Sequence, residues 1–550
     1  MDAAVLGIKG YIRFLAALQD RLTIWKEKEK YRPSLPPHFI DQLREVRKIN
    51  GIGNDELRLI LRTLTRDTRK EVIRYRTSRW FSFLSTIQGA HKKQESSFWS
   101  HLSKIFRPKT LLFSKLTTKN KILSNEKDIT SELHKYYSDL AKKPEIDPLD
   151  PHDKQILKEF EEIKQELSNS NVVEIQSTSI TEINLFIKKM KGKKPSGLDR
   201  ISDFIIKLLL PTYVEGLVNC FNAWLYQMRY PDFWKISKIV ALNKLRADIP
   251  SSMGIRSISL LVTHSKIFEK ILLNRLRNWA KGNKLILREQ SGFRSNYLLQ
   301  TRVLLIFQEV QNNLTANVPT LEGEGVYRKA FDLVWHSGLI VKLHKLNIPF
   351  SLLKTIRSWL SNRTAYIQYG QRSSSVFNVQ VGLPQGSSLS LYIFVVYHSD
   401  ITNCLGAHSG DLFADDLSVL TRAPITQSFS TMLSYLEKEG SKICNKIAEY
   451  SRWRKQPLNV NKTVGQIFYS QVKKSRVNIF MLGQRIAIVD SFKYLGFTWT
   501  SKLSLRPTVN KCIENIQKSL SKLKWLRCGK IVSAEVLRRC FFAYTFPHMA

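Results

Sequence analysis

The sequence predicts an α+β fold in which basic, helical ends flank a mixed body, and three observations carry this. Residues up to about Phe106 place apolar side chains at helical spacing. From about Ser177 to about Thr500, short β-rich runs alternate with helical ones and with turns marked by glycine and proline. From Lys502 to Ala550 the chain is helical and basic again.

In the first segment Leu57, Ile60, Leu61 and Leu64 fall at i, i+3, i+4 and i+7, which is one helical face. Arg58, Arg62 and Arg66 form an i, i+4 ladder on another face, and Arg69, Lys70, Arg74, Arg76 and Arg79 extend it. Like charges stacked this way repel, so a phosphate-facing stripe is preferred to a merely solvated one. Trp80, Phe81, Phe83 and Leu84 give the segment something to bury, and Phe98 and Trp99 open a further helix. Residues 124–170 are charged and helical, with Pro144, Pro148 and Pro151 marking a break between helices. Strands are expected at Ile236–Leu242, Ala365–Tyr369, Leu412–Leu420 and Gln466–Tyr469. The expected domains are a basic helical region (1–170), a mixed body (171–500) and a helical end (501–550).

Composition narrows the function. A chain of 550 residues exceeds one ordinary core, and 43% hydrophobic with 11% aromatic residues excludes global disorder. Lys and Arg number 86 against 46 Asp and Glu, a formal charge of +40. A compact state this positive repels itself unless a polyanion is near, so nucleic acid is the expected partner, ahead of a merely soluble basic protein. The six cysteines are scattered without CxxC pairs, which suits a reducing compartment with neither a zinc site nor a disulfide scaffold. Lys9 and Arg13 interrupt the first apolar stretch, so no secretory signal is expected. No uncharged apolar run approaches the roughly 20 residues that span a bilayer, so no membrane partner is expected.

The chemistry centres on Phe413-Ala414-Asp415-Asp416, flanked by Leu412 and by Leu417, Val419 and Leu420. A carboxylate pair at the turn between two strands offers hard oxygen ligands to divalent ions, as nucleotidyl transfer requires. Alone, two adjacent aspartates are far more often a solvated turn. Upstream, Val381-Gly382-Leu383-Pro384-Gln385-Gly386-Ser387-Ser388-Leu389-Ser390 reads as a turn opening a helix that Ser387 or Ser388 would cap. Its small residues allow close backbone approach to a base pair, and Gln385 can reach nucleotide or template.

With these blocks in place, the chain resembles the reverse transcriptases of non-LTR, LINE-type retrotransposons of the Jockey kind, in order from Lys194 to about Ser504. Lys194-Pro195-Ser196-Gly197-Leu198-Asp199 with Lys207 is similar to the early finger motif. Trp234, Lys244 and Ile255-Arg256-Ser257-Ile258-Ser259-Leu260-Leu261 resemble the "W…K…YRPISLL" block, with Lys266, Glu269, Lys270 and Arg275 on the helix after it. Gln290-Ser291-Gly292-Phe293-Arg294 resembles "QxGFR". Lys329-Ala330-Phe331-Asp332, Gly382–Ser390, Asp415-Asp416, Leu458–Thr463 with Trp453, and Phe492–Gly496 resemble motifs A, B, C and D and the primer grip.

The resemblance implies a right-hand polymerase, with fingers, a ferredoxin-like palm and a partial helical thumb, that extends a DNA primer on an RNA template with Mg²⁺ or Mn²⁺. Asp415 and Asp416 would hold metal. Lys244 and Arg256 would hold the triphosphate of the incoming deoxynucleotide, and Gln385 would meet the nucleotide or template. Phe331 would exclude a 2′-hydroxyl by bulk, Lys462 would protonate pyrophosphate, and Tyr494, Leu495 and Gly496 would grip the primer end. Template, primer or target DNA and deoxynucleotides are the implied partners, and nucleus and cytoplasm the implied locations. A group II intron maturase is a weaker rival.

This chain departs from the pattern. Motif A carries a metal-binding aspartate six residues before the aspartate of its "AFD", and that register puts Val326 in the slot. Glu324 lies two residues earlier, displaced by roughly 6–7 Å along a strand, so it is not expected to substitute. Asp332 is expected to face the following helix. Arg200, Ser257, Leu391 and Leu298–Gln300 also depart from the family residues. The expectation is a degenerate copy, impaired in synthesis and without endonuclease or ribonuclease H parts. A catalytically inactive RNA-binding remnant, or a pseudogene product, is the alternative.

Overall fold

A computed structural model of the chain describes residues 3–22, 55–94, 97–106, 113–118, 121–169, 174–191, 197–243, 249–294, 296–406, 408–425, 428–470 and 477–549, with positions 38, 40, 41 and 44. Lys244 and Lys194-Pro195-Ser196 lie outside these residues, as do the side chains of Leu57, Arg58, Ile60, Leu61 and Leu64. The chain forms helix and sheet together and packs as two compact units. One unit holds Met1–Thr23 with Leu112–Ser504, and the other Ile24–Leu111 with Leu505–Ala550. Packing thus cuts the chain elsewhere than the segments 1–170, 171–500 and 501–550. Leu116, Leu123, Ile129, Leu133 and Tyr137 share a core with Ile239, Ala241, Ala365 and Ile367, which draws the stretch after residue 112 into the mixed body.

Along the chain, α1 (Ala3–Leu22) is followed by α2 (Asp55–Lys92) and α3 (Ser97–Phe106). The hairpin β1 (Leu116–Thr117) and β2 (Ile122–Leu123) leads to α4 (Glu126–Leu140) and α5 (Pro151–Asn169). Asn125 caps α4 through its side chain, and the break before α5 falls where the three prolines mark it. Then come α6 (Ile180–Lys188), α7 (Asp203–Lys207), α8 (Pro211–Tyr226), β3 (Ile236–Asn243), β4 (Ile255–Leu260), α9 (Thr263–Gly282) and α10 (Leu299–Thr315). Next are β5 (Thr320–Val326), α11 (His336–Lys345), α12 (Phe350–Leu360), β6 (Arg363–Tyr369), β7 (Arg372–Ser373), β8 (Phe377–Val379) and α13 (Ser388–Tyr397). The hairpin β9 (Ser409–Phe413) and β10 (Asp416–Arg422) precedes α14 (Phe429–Trp453) and β11 (Val464–Phe468). Short strands follow: β12 (Phe480–Met481), β13 (Gln484–Arg485), β14 (Ala487–Ile488), β15 (Ser491–Tyr494) and β16 (Phe497–Thr500). Helices α15 (Arg506–Arg527) and α16 (Ala534–Cys540) come last.

Two sheets organise the first unit. One runs β4-β3-β6-β7 with β8 also on β6, and β3 pairs parallel to β6. Helix α4 lays Leu133 and Tyr137 on it. The other runs β14-β11-β5-β10-β9, with β5 central and antiparallel to both neighbours. Period-two alternation in Thr320-Leu321-Glu322-Gly323-Glu324-Gly325-Val326 sorts its faces. Leu321 joins Ile467, Leu436 and Ala448 under α14. Glu322 and Glu324 point to the opposite face, where Leu420 and Phe468 meet Val303, Ile306 and Val310 of α10 and Tyr494 and Trp499 of the β15–β16 hairpin. A larger core around Phe221, Trp224, Trp234, Phe268 and Trp359 ties α8, α9 and α12 together.

The second unit is helical. Leu84, Ile87, Phe98, Leu102, Leu526, Val536 and Cys540 bury one another, and Phe106 stacks on Tyr544 at 4.3 Å. Arg62, Arg66, Arg69, Lys70, Arg74, Arg76 and Arg79 are all exposed on α2.

Candidate active site

The acidic pair sits at the tip of the β9–β10 hairpin. Phe413 and Asp416 are register partners, so Ala414 and Asp415 form a two-residue turn, and Ala414 takes a left-handed φ of 63°. The β-rich run expected at Leu412–Leu420 is this hairpin, two strands about the turn. On the other side of β10, Asp416 pairs with Val326 and Ser418 with Glu324. The position that the motif A register assigns to a carboxylate thus stands directly across from Asp416, and valine occupies it.

Acidic groups continue along the same face without a paired cation on β5. Glu324 is half-buried, and burial together with the Asp416 charge pushes its carboxyl up to about 7. Glu322 is buried and accepts a hydrogen bond from Ser418 Oγ at 2.7 Å. Burial pushes its carboxyl up to about 8, with the Glu324 and Asp411 charges adding. Asp411 on β9 is ion-paired with Arg302 of α10. The hydroxyl of Tyr494 is held far above its ordinary range by burial and then by the charges of Glu322, Asp411, Asp416 and Glu324.

Do these residues fit a pair of divalent ions? Such a pair takes bridging carboxylates from separate segments. The hairpin supplies Asp415 and Asp416, but β5 supplies valine, and Glu324 stands one register step away, beside Ser418 and Val464. Among the described residues no group of three or more His, Cys, Asp or Glu side chains gathers as a metal would require. The donor set does not fit two ions.

A second cluster forms where the Ala330–Leu333 turn meets the turn before α13. Gly382 N–H donates to Val334 O at 2.9 Å, Leu383 N–H to Phe331 O at 2.7 Å, and Ser259 N–H to Gln385 O at 2.8 Å. Gly382 has φ of 84°, and a Cβ there would lie 2.4 Å from Asp332 O, so glycine is required. Phe331 packs on Phe394 with ring centroids 4.5 Å apart. Gln385 Nε2 donates to Asp332 Oδ1 at 2.7 Å, which leaves its Oε1 available. One expectation needs correction. Asp332 turns toward β4 rather than α11, with Ser257 Oγ 3.4 Å from the same oxygen, and burial raises its carboxyl. Ser257, where the family has proline, supplies that hydroxyl. These groups border a cavity of about 60 Å³ that Tyr137 and Arg363 also line.

Of the two expected caps, Ser387 or Ser388, it is Ser387 that caps the helix, its Oγ accepting from Leu389 N–H at 3.1 Å. The same hydroxyl donates to Glu269 of α9 at 2.6 Å. Glu269 is fully buried and also accepts from Tyr230 at 3.1 Å and Trp359 at 3.2 Å. Sequence reading placed Glu269 on its helix and missed this partner.

The other expected residues are more dispersed. Arg256 is exposed on β4 opposite Leu242. Lys462 is exposed in the short turn that leads into β11. Leu495 and Gly496 form the tip of β15–β16, with φ of 48° and 89°. The Tyr494 ring, expected at the primer end, instead belongs to the core with Leu420, Phe468 and Trp499, since the strand turns it inward. Motif resemblance alone assigns no role to Gln290 and Gly292. Gln290 Oε1 accepts from Ala414 N–H at 3.0 Å, and a Cβ on Gly292 would lie 2.3 Å from that nitrogen.

Comparison with known proteins gives the following similarities. Residues 249–499 match the family of reverse transcriptases (RNA-dependent DNA polymerases). The chain is 26% identical over 367 residues to the RNA-directed DNA polymerase from mobile element jockey of Drosophila melanogaster, covering 64% of this chain and 38% of that protein. It is 25% identical over 375 residues to the probable RNA-directed DNA polymerase from transposon BS of the same organism, covering 64% and 39%. Against the Pol polyprotein of the type-1 retrotransposable element R2 of Popillia japonica it is 25% identical over 247 residues, covering 42% and 39%. The chain therefore spans about two fifths of the length of these relatives. Over this stretch the chain is similar to the RNA-directed DNA polymerases of non-LTR, LINE-type retrotransposons.

Proposed function

We propose that this chain is the RNA-directed DNA polymerase segment of a non-LTR retrotransposon protein, and that Val326 leaves it impaired. The observation that carries the reading is the register of β5 against β10, which sets Val326 across from Asp416. In this reading the sheet around β5 is the palm, the sheet around β3 belongs to the fingers, and residues 501–550 are part of a thumb. The family's divalent ions would supply Lewis-acid chemistry, and here the chain lacks one of the carboxylates that would hold them.

What the chain's own residues do can still be assigned. Arg256, with Lys244, draws the triphosphate by charge. Phe331, braced by Phe394, sets the floor under the sugar and leaves no room for a 2′-hydroxyl. Asp332 holds Gln385 by its amide nitrogen, which leaves Oε1 as the acceptor. Lys462 delivers a proton to the leaving pyrophosphate. Leu495 and Gly496 offer a left-handed turn whose backbone meets the primer end.

Primer extension on an RNA template with Mg²⁺ or Mn²⁺ tests this. The chain as it stands should give near-zero synthesis, and Val326→Asp should raise it by at least 10²-fold, on the order of 3 kcal/mol of transition-state stabilisation. Efficient extension by the unaltered chain refutes the impairment.

A second reading, an RNA-binding chain without catalysis, is favoured by the charge of +40 and the exposed arginine stripe of α2. It predicts tight filter binding to structured RNA that falls steeply with salt, and no gain of synthesis in Val326→Asp. Among the described residues no helix is long and apolar enough to cross a membrane.

A further inference from the structure

We infer that Gln290 is a positioning residue for the acidic turn: its carboxamide clasps the backbone of Ala414 and holds the left-handed conformation from which Asp415 and Asp416 project. This rests on the reading of those aspartates as the residues of the chemistry.

The turn demands such a device. Ala414 has φ of 63°, a conformation that a side chain bearing Cβ resists and that glycine takes freely. Nothing in the residue itself keeps it there, so the surroundings must. Gln290 is 3% exposed, and its amide serves both polar groups of Ala414. Its Oε1 accepts from Ala414 N–H at 3.0 Å and its Nε2 donates to Ala414 O at 3.3 Å. Oε1 also accepts from Gly292 N–H at 2.7 Å, so only one amide orientation satisfies all three bonds.

The clasp is itself anchored. Leu412 N–H donates to Glu289 O at 3.1 Å and Ser291 N–H to Leu412 O at 2.9 Å, which attaches the segment to β9. Arg302 then bonds Ser291 Oγ at 2.9 Å and Arg288 O at 2.7 Å while ion-paired with Asp411 of β9. Gly292 lets the two backbones meet, since any Cβ would strike Ala414 N. Arg294 closes the loop on itself, donating to Leu287 O at 2.6 Å and Gln290 O at 3.0 Å. The "QxGFR" block is therefore spent on the hairpin and its own loop: Gln290 grips, Gly292 makes room, and Arg294 braces.

Hydrogen exchange on the full chain, read by mass spectrometry, tests the clasp without any catalysis. Gln290→Met keeps the length of the side chain and removes the amide. It should speed exchange in a peptide covering 409–420 by at least tenfold and leave peptides from β3 and β4 unchanged. Should Gln290→Met fail to fold, Gln290→Glu keeps the acceptor for Ala414 N–H, loses the donor to Ala414 O, and should also speed exchange in that peptide. Unchanged exchange at 409–420 in a folded variant overturns the inference. In a Val326→Asp background, Gln290→Met should lower kcat at least tenfold with little change in KM for the deoxynucleotide. Adding Ala414→Gly should recover part of that loss, because glycine needs no clasp to hold the turn. A matched rise in KM, or no recovery by Ala414→Gly, counts against positioning and for general packing. If Val326→Asp makes no DNA, the polymerase reading fails while the exchange result still decides the clasp.

Discussion

Glu322 gives the acidic sheet face a measurable signature. It is fully buried on the central strand, its Oε1 takes one hydrogen bond from Ser418, and its Oε2 has no partner. Its carboxyl ordinarily ionises near 4.5 and is pushed to about 8 here, chiefly by burial. A group whose folded pKa is raised contributes its full stability below the unfolded pKa and loses it as pH rises through the folded one. Here that window runs from about 4.5 to about 8. Each tenfold in the proton equilibrium is about 1.4 kcal/mol, so at pH 7 the chain forgoes at most about 3 kcal/mol relative to a neutral side chain at this position. Glu322→Gln keeps the acceptor for Ser418 and cannot ionise. Denaturant unfolding of the two chains should therefore diverge with pH. The stability advantage of Gln should be smallest near pH 4.5, grow to about 2–3 kcal/mol at pH 7, and level off above pH 8. If the difference between the chains stays flat from pH 5 to pH 8, Glu322 is not held neutral and the account of the face is wrong.

Two further perturbations follow from the cluster before α13. Ser387→Ala removes a helix cap and one partner of the buried Glu269, so it should cost about 2–4 kcal/mol in chemical denaturation, against about 1 kcal/mol for Ser428→Ala, which caps α14 at the surface. Equal losses would show that the bond to Glu269 adds nothing. In a Val326→Asp background, Phe331→Ala should admit ribonucleotides, lowering the preference for deoxynucleotides at least tenfold in competition assays; an unchanged preference removes Phe331 from sugar selection.

Local features were readable in the sequence because local physics sets them. Ser387 caps α13 as the turn chemistry requires, the prolines after Leu140 separate α4 from α5, and the acidic pair falls at a hairpin bounded by apolar strands. Strand ends differ by one to three residues, as with β6, which begins at Arg363 rather than Ala365, and β9, which begins at Ser409 rather than Leu412. Partners far apart in the chain were not readable. Asp332 finds Gln385 across 53 residues, and Glu269 finds Ser387 across 118. Periodicity reports which face of an element is buried and says nothing of what buries it. The central place of β5 in its sheet, which buries Glu322 and half-buries Glu324, is also not written in the local sequence. Tyr494 likewise reads as an exposed turn residue until the hairpin folds onto α10.

The same strand shows why, under the proposed reading, a well-formed fold is compatible with a missing ligand. Valine is a strong strand former, and at the end of β5 it keeps the register with Asp416 that an aspartate would have to adopt. Strand geometry favours valine here, whereas the proposed chemistry depends on a carboxylate that strand geometry does not need. The scaffold around the slot is intact in its own bonds: the Gln290 amide on Ala414, the Arg302–Asp411 pair behind it, and the Gly382 and Leu383 amides on Val334 and Phe331. These bonds are made by backbone groups and by residues other than 326, so none of them depends on the side chain at 326. In the proposed reading, stability and catalysis are therefore separable. A single oxygen-bearing side chain at position 326 should change the rate of DNA synthesis far more than it changes the denaturation midpoint.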